Sequence, residues 1–174
     1  MTSHSTAGAE NAVAAAEDLW HYAVTVYQRP GLKDALLALQ DHYDIDVVVL
    51  LCCAYLAEKQ CRLTSASISE LIQTTRAIRG DFVLPIRQLR RHCAESGGSE
   101  GLYSALKAAE LQAERAQMGA LAGRFWPWLA QRDKGASVAA NIWVYWGFAA
   151  GAADEPLLSE VAAILQGSPP QVPS

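Results

Sequence analysis

The sequence lacks the local motifs that mark most enzyme families. It has no GxGxxG or Walker A loop for phosphate groups, no HExxH pair for zinc and no GxSxG nucleophile turn. Its four histidines form no ligand pattern, so we expect no metal centre and no cofactor. The missing motifs argue weakly against an enzyme. They do not exclude one, because catalytic groups can converge from distant segments of the chain.

Cysteine and charge are also scarce. The four cysteines show no CxxC-type spacing, which argues against a zinc site and against a disulfide scaffold. Only 18% of the residues are charged, and 18 acidic against 14 basic residues give a net charge of -4. This balance argues against a general nucleic-acid coat protein.

We expect neither a signal peptide nor a membrane span in this sequence. Its first ten residues include no Lys or Arg, and Glu17 and Asp18 fall where a signal peptide needs an apolar core. Residues 136–153 carry no charge, but half of them are Ala or Gly, which suits a buried helix better than a membrane span. We therefore predict a cytoplasmic protein with no membrane partner.

Helical periodicity is what the sequence has in abundance. No run alternates apolar and polar residues between hairpin turns, as a strand would. Residues 47–57 are almost entirely apolar and follow Asp46, a suitable N-cap, so they predict a helix at the centre of the core. The prediction is an all-α fold, a single-domain bundle of six to eight helices around this apolar central helix.

The helical domain is predicted to cover residues 11–166. Residues 1–10 are predicted to be a disordered N-terminal tail, and residues 167–174, GSPPQVPS, a disordered Pro-rich tail. Within the domain, Ser67 and Glu70 have the spacing of a capping box, which predicts a helix start near Ile68.

Beyond that start, apolar or small residues recur every three or four positions. They are Leu71, Thr75, Ile78, Phe82, Ile86, Leu89 and Cys93. The spacing predicts one inward face that continues through Gly80 and Pro85, on either one long kinked helix or two nearly collinear helices.

Arginines occupy another sector of the same segment. Their positions are Arg76, Arg79, Arg87 and Arg90, with Arg91 alongside. On a continuous helix these side chains form a stripe that can bind carboxylates or phosphates of a partner, and the alternative is a solvated polar face. We expect charge reversal of Arg87 and Arg90 to abolish partner binding with little effect on stability.

Two further groups of residues are candidate functional sites. Glu110 and Glu114 lie one turn apart on a long predicted helix, either as ordinary surface residues or as the polar side of a pocket. Half of the aromatic residues fall within residues 125–148, which predicts a packed core or a partner-binding patch. The tryptophans of this segment are Trp126, Trp128, Trp143 and Trp146.

Several short stretches carry a family resemblance. They include Trp20-His21-Tyr22-Ala23, Leu39-Gln40-Asp41, Leu84-Pro85-Ile86-Arg87 and Lys107-Ala108-Ala109-Glu110-Leu111. Over residues 17–121 the chain resembles a small proteobacterial family known only as a domain of unknown function, DUF2390. The resemblance implies a soluble bacterial helical protein and brings no characterised active site to carry over.

These patterns predict a non-catalytic interaction or regulatory protein that binds a macromolecular partner, in the first place a protein, through the arginine-rich helix face. The first alternative is a small-molecule enzyme or sensor in which Arg87 and Arg90 bind an anionic ligand, with Glu110 and Glu114 as polar partners. The second alternative is RNA or ribosome association through the same arginines. Assembly into a homo-oligomer is left open.

Overall fold

The computed structural model describes residues 3–149 and 155–167, with side chains from residue 7 onward. This part of the chain is built from helices and contains no strand, which confirms the all-α prediction. The α-helices are α1 (Ser3–Val26), α2 (Leu32–Tyr43), α3 (Val47–Glu58), α4 (Ser65–Ile78), α5 (Leu84–Glu95), α6 (Glu100–Phe125), α7 (Val138–Ala149) and α8 (Glu155–Leu165). A π-helix (Arg79–Val83) joins α4 to α5, and a 3-10 helix (Trp126–Ala130) follows α6.

Helix α3 is the centre of the bundle, as predicted. Every residue from Val47 to Ala57 is buried, because a helix that is apolar on all sides can be stable only when other helices surround it. Helices α1, α6 and α7 pack against it. Its N-cap is Asp46, whose Oδ1 accepts hydrogen bonds from the backbone N–H groups of Val48 and Val49 at 3.0 and 3.3 Å.

A buried asparagine fastens α7 to the end of α3. The Asn141 amide donates to the carbonyls of Cys53 and Cys61 at 3.1 and 2.9 Å, and its oxygen accepts from the N–H of Leu63 at 2.9 Å. These three bonds satisfy backbone groups that the turn after α3 would otherwise leave buried and unpaired.

The turn after α1 contacts the C-terminal end of α8. The turn after α1 places Gly31 at φ +79°, a conformation that suits glycine. Helix α2 then buries Leu32, Ala35, Leu36 and Leu39. Next to this turn, Arg29 Nη1 donates to the carbonyls of Ile164 and Leu165 at 2.9 and 2.5 Å. A cation therefore caps the C-terminal end of α8, where the helix dipole favours positive charge.

Two predicted boundaries differ from the structure. Helix α1 begins at Ser3, so residues assigned to a disordered tail are helical, and Gly8 there packs close to the ring of Trp126. Helix α4 begins three residues before Ile68, because Thr64 is the N-cap and Ser67 closes the capping box with it. Of the predicted C-terminal tail, only Gly167 belongs to the described residues.

Candidate interaction site at the π-helix

The segment from α4 to α5 is one continuous helical run that contains a π turn. Because a π turn has one residue more than an α turn, it shifts the inward positions that follow it by one. Val83, Arg87 and Arg90 point inward after the π-helix, and the predicted inward residues Phe82 and Leu89 are each 57% exposed. The predicted continuous apolar face is therefore wrong at Phe82 and Leu89, whereas Cys93, its last residue, is buried as predicted.

The inward arginines of α5 meet the two glutamates of α6. Arg87 Nε lies 2.7 Å from Glu110 Oε1, and Arg87 Nη2 lies 2.9 Å from Glu114 Oε1. Arg90 Nε pairs with the second oxygen of Glu110. We call these four residues the ion-pair cluster; the side chains of Arg87, Glu110 and Arg90 are only 11%, 10% and 22% exposed.

The two glutamates of the ion-pair cluster differ in their electrostatics. Burial by itself raises the pKa of Glu110, but hydrogen bonds from Arg90 and Arg87 outweigh it and hold that pKa below its ordinary value. Burial raises the pKa of Glu114, and its neighbour Arg87 compensates only in part. Of the two carboxylates, Glu110 is therefore the one that the arginines hold more strongly in its ionised form.

Arg79, in the first position of the π-helix, reaches the turn before α3. Its Nη2 donates to Oδ1 and to the carbonyl oxygen of Asp44 at 2.7 and 3.0 Å, and its Nε lies 3.4 Å from Asp46 Oδ2. The π turn is thus tied to the N-cap of the central helix by one guanidinium group.

Asp46 is the most constrained acid in this region. Besides capping α3, it accepts a hydrogen bond from Gln117 Nε2 on α6 at 2.5 Å, while the Tyr145 hydroxyl lies 3.1 Å from its backbone nitrogen. Burial raises the pKa of Asp46 in spite of the neighbouring Arg79. The residue joins α3, α6, α7 and the π-helix in one polar network.

The remaining two predicted arginines are on the surface. Arg91 forms an ion pair with Asp41 of α2, whereas Arg76 is exposed and forms no ion pair with any described residue. Arg76 lines a groove of about 850 Å³ together with Gly80 and Asp81 of the π-helix and the half-exposed ring of Phe148. Of the five predicted arginines, Arg76 is the one whose charge faces an open groove without a carboxylate partner among the described residues.

Two large apolar side chains of the π-helix and α5 face solvent. Phe82 and Leu89 are seven residues apart, two turns along the helix, and Ile86 between them is partly exposed. We call these three residues the outer face. The outer face exposes apolar surface on a segment in which four of the five arginines pair with carboxylates of the same chain.

The family model described as "Protein of unknown function (DUF2390)" matches residues 18–121, which is more than half of the chain. The chain belongs to the DUF2390 family. The matched span of this DUF2390 protein includes the π-helix, the ion-pair cluster and the outer face. No curated protein and no solved structure matches the chain.

The tryptophans of the DUF2390 protein contribute mainly to the core. Trp146 is buried and stacks edge-on against Tyr43 at 5.3 Å between ring centroids, while Trp126 and Trp128 are partly buried against the core. Trp143 is 37% exposed. Of the two predicted arrangements, the packed core describes this segment better than an exposed aromatic patch.

Metal and membrane sites are not found among the described residues. No three His, Cys, Asp or Glu side chains come close enough to hold a metal ion in that part of the chain. None of the described helices combines the length and the hydropathy that a membrane span requires.

Sequence reasoning missed the acids that pair with the arginines and the polar network around Asp46. Asp41 and Asp44 stand at an acidic turn, where capping and solvation are the ordinary roles of a carboxylate. Gln117 and Tyr145 give no signal in the sequence, because a single polar residue on a helix has many ordinary roles. The one signal in the sequence is the distribution of charge. Residues 1–57 contain more acidic than basic residues, and the segment that follows them is basic, so ion pairs between the two are favoured.

Proposed function

We propose that this protein acts by binding a partner protein, and that the contact is the outer face of the run from α4 through the π-helix to α5. The observation that carries this proposal is the pair of large apolar side chains, Phe82 and Leu89, each 57% exposed on one helix stripe. Apolar anchors at helical spacing, next to a groove with polar edges, are the usual composition of an interaction surface.

The ion-pair cluster supports the proposal by holding the outer face in place. Because Arg87 and Arg90 bind Glu110 of α6, α5 is fixed in the rotation that turns Phe82 and Leu89 toward solvent. Turning α5 to hide these two residues would leave buried charges without partners, at a high free-energy cost. The exposed stripe is therefore a stable property of the fold.

The same pairing weakens the two alternatives. An anion pocket or an RNA contact needs arginines with free guanidinium groups, and four of the five predicted arginines already pair with carboxylates. Charge reversal of Arg87 and Arg90 would also place four carboxylates together, so we now expect it to destabilise the fold.

For the compartment we propose the bacterial cytoplasm. All four cysteines are unpaired and buried, as Cys52, Cys53, Cys61 and Cys93, which suits a reducing compartment. The resemblance to proteobacterial proteins supports a bacterial source.

A site-specific crosslinking experiment tests the partner proposal. A photoreactive phenylalanine analogue at position 82 is activated in living cells, and the adducts are identified by mass spectrometry. The matched control carries the analogue at Val13, an apolar residue on α1 that is 64% exposed and lies away from the outer face. We expect one dominant protein adduct from position 82 that is absent from position 13.

A surface variant completes the test. Phe82→Ser/Leu89→Ser should lose the partner in co-purification, while Val13→Ser/Leu111→Ser, which also removes two exposed apolar side chains, should keep it. Both variants should melt within a few degrees of wild type, because the changed residues are exposed. An adduct with a second copy of the chain would identify a homo-oligomer, and equal labelling at positions 82 and 13 would refute the proposal.

A further inference from the structure

The groove beside Arg76 lies against the π-helix, between α4 and the end of α7, and we call it the Arg76 groove. Its volume of about 850 Å³ is within the range of small-molecule sites. The π turn forms one edge of it, through Arg79, Gly80 and Asp81. Because π turns are rare in proteins and occur frequently at functional sites, the Arg76 groove is a candidate binding site.

The buried polar side chains that line the Arg76 groove are already bonded within the protein. Asp46 caps α3 and pairs with Arg79. The Tyr145 hydroxyl lies 3.1 Å from the backbone nitrogen of Asp46, and the Thr75 hydroxyl donates to the carbonyl of Leu71 at 3.2 Å. These bonds hold the inner part of the groove in place, so a ligand must be recognised by the exposed side chains.

Two exposed charges of opposite sign line the groove without a partner. The side chains of Arg76 on α4 and Asp81 in the π-helix form no ion pair with any described residue. The two residues are five positions apart, about 7 Å along a helix axis, a span that their side chains can close around one small molecule. A guanidinium group binds a carboxylate through two parallel hydrogen bonds, and a carboxylate binds an ammonium group. The two side chains together therefore suit a molecule that carries both charges.

Apolar side chains form the remaining wall of the groove. The ring of Phe148 is 50% exposed, and Ile72 is partly buried against the core. Ala77 and Ala149 complete this wall and leave space beside the ring. A molecule with an apolar body would remove the exposed surface of Phe148 from water, which favours binding.

The charges of the whole groove disfavour a polyanion. Besides Asp81, the carboxylates of Asp44 and Asp46 line it, against the guanidinium groups of Arg76 and Arg79. A phosphate group or a nucleic-acid strand would therefore meet more negative than positive charge. A zwitterion avoids this repulsion, because it carries no net charge.

From this arrangement we infer that the Arg76 groove binds an α-amino acid with an apolar side chain. Its carboxylate lies on Arg76, its ammonium group on Asp81 and its side chain against the Phe148 ring. The inference goes beyond the proposed partner binding and does not depend on it, because none of these three residues belongs to the outer face.

The experiment uses L-phenylalanine as the probe and the full chain as the protein. Binding is followed by the NMR signal of the backbone N–H of Gly80, which lines the groove. The comparison probe 3-phenylpropanoate lacks the ammonium group, phenethylamine lacks the carboxylate, and L-serine lacks the apolar body. We expect a saturable shift with L-phenylalanine and at least tenfold weaker binding of each comparison probe, because each loses one of the three contacts.

Matched variants test the two charges directly. Arg76→Gln and Asp81→Asn should each weaken the binding of L-phenylalanine at least tenfold, the effect of one charged hydrogen bond. Arg132→Gln and Asp34→Asn change exposed charges outside the groove and should leave binding unchanged. All four variants should melt close to wild type, because the changed residues are exposed.

Three results would overturn the inference. They are the absence of a saturable shift of the Gly80 signal up to the solubility limit of L-phenylalanine, equal binding of 3-phenylpropanoate, and unchanged binding in Arg76→Gln. The Phe82→Ser/Leu89→Ser variant leaves the lining of the groove intact and should bind L-phenylalanine as wild type does. A failure of the partner proposal is therefore distinguishable from a failure of this inference.

Discussion

The ion-pair cluster gives a sharp quantitative prediction for Glu110→Gln. In the wild type, Glu110 Oε1 accepts from Arg87 Nε at 2.7 Å and Oε2 accepts from Arg90 Nε. Glutamine keeps the shape but offers one acceptor and one NH₂ donor, so one of the two arginines must face a donor. The variant also leaves positive charge in a site where Arg87 is only 11% exposed.

The magnitude follows from the burial of the cluster. Removing one member of a buried charge pair typically costs about 3–5 kcal/mol, and we expect about 3 kcal/mol here because Arg87 keeps its bond to Glu114. For a protein of this length, that corresponds to a fall in melting temperature of about 6–12 °C. The assay is urea unfolding followed by circular dichroism, with thermal melting as a second measurement.

Two comparison variants make the result interpretable. Glu17→Gln breaks the exposed ion pair between Arg115 and Glu17 and should cost about 0–1 kcal/mol. Arg90→Met/Glu110→Leu removes a whole charge pair, keeps Arg87 with Glu114, and should recover most of the loss. If Glu110→Gln costs no more than Glu17→Gln, the argument that the cluster holds α5 in its rotation is refuted.

Two further predictions concern the same region. Deleting Gly80 removes the extra residue of the π turn and rotates α5 by about 100°, so the urea midpoint should fall as far as in Glu110→Gln; an unchanged midpoint would show that the π turn does not set the register. Because the pKa of Glu110 is lowered in the folded state, its stabilisation is complete above the ordinary carboxyl value of 4.5 and is lost as the pH falls below it. Wild type should therefore lose more stability than Glu110→Gln in urea titrations carried from neutral pH into that acid range, and parallel curves would contradict the lowered pKa.

Much of the fold could be predicted because it depends on local signals. Apolar character on all sides identified α3, and the side chain of Asp46 marked its start, which the structure confirms. The N-cap of α4 is Thr64 and not Ser67, the residue expected to cap it. Both residues carry a hydroxyl group at the spacing of a capping box, but Thr64 is the one with the extended backbone of an N-cap.

The site could be predicted only in part, because its geometry depends on one inserted residue. Periodicity assumes about 100° per residue, and nothing in the local sequence signals that the turn at Gly80 is wider. The arginines and glutamates were identified individually, and the structure brings Arg87, Arg90, Glu110 and Glu114 together. The role of these residues in binding stays a prediction.

The hydrogen bonds of Asn141 show that the residues matched by the family model are not a complete folding unit. Similarity ends at residue 121, yet Asn141 satisfies the backbone at the end of α3, and Arg29 reaches across to the last carbonyls of α8. A polypeptide trimmed to the matched residues would uncover the most apolar helix of the molecule along the whole side that α7 protects. We therefore expect that a piece of the chain must extend through α8 to fold on its own.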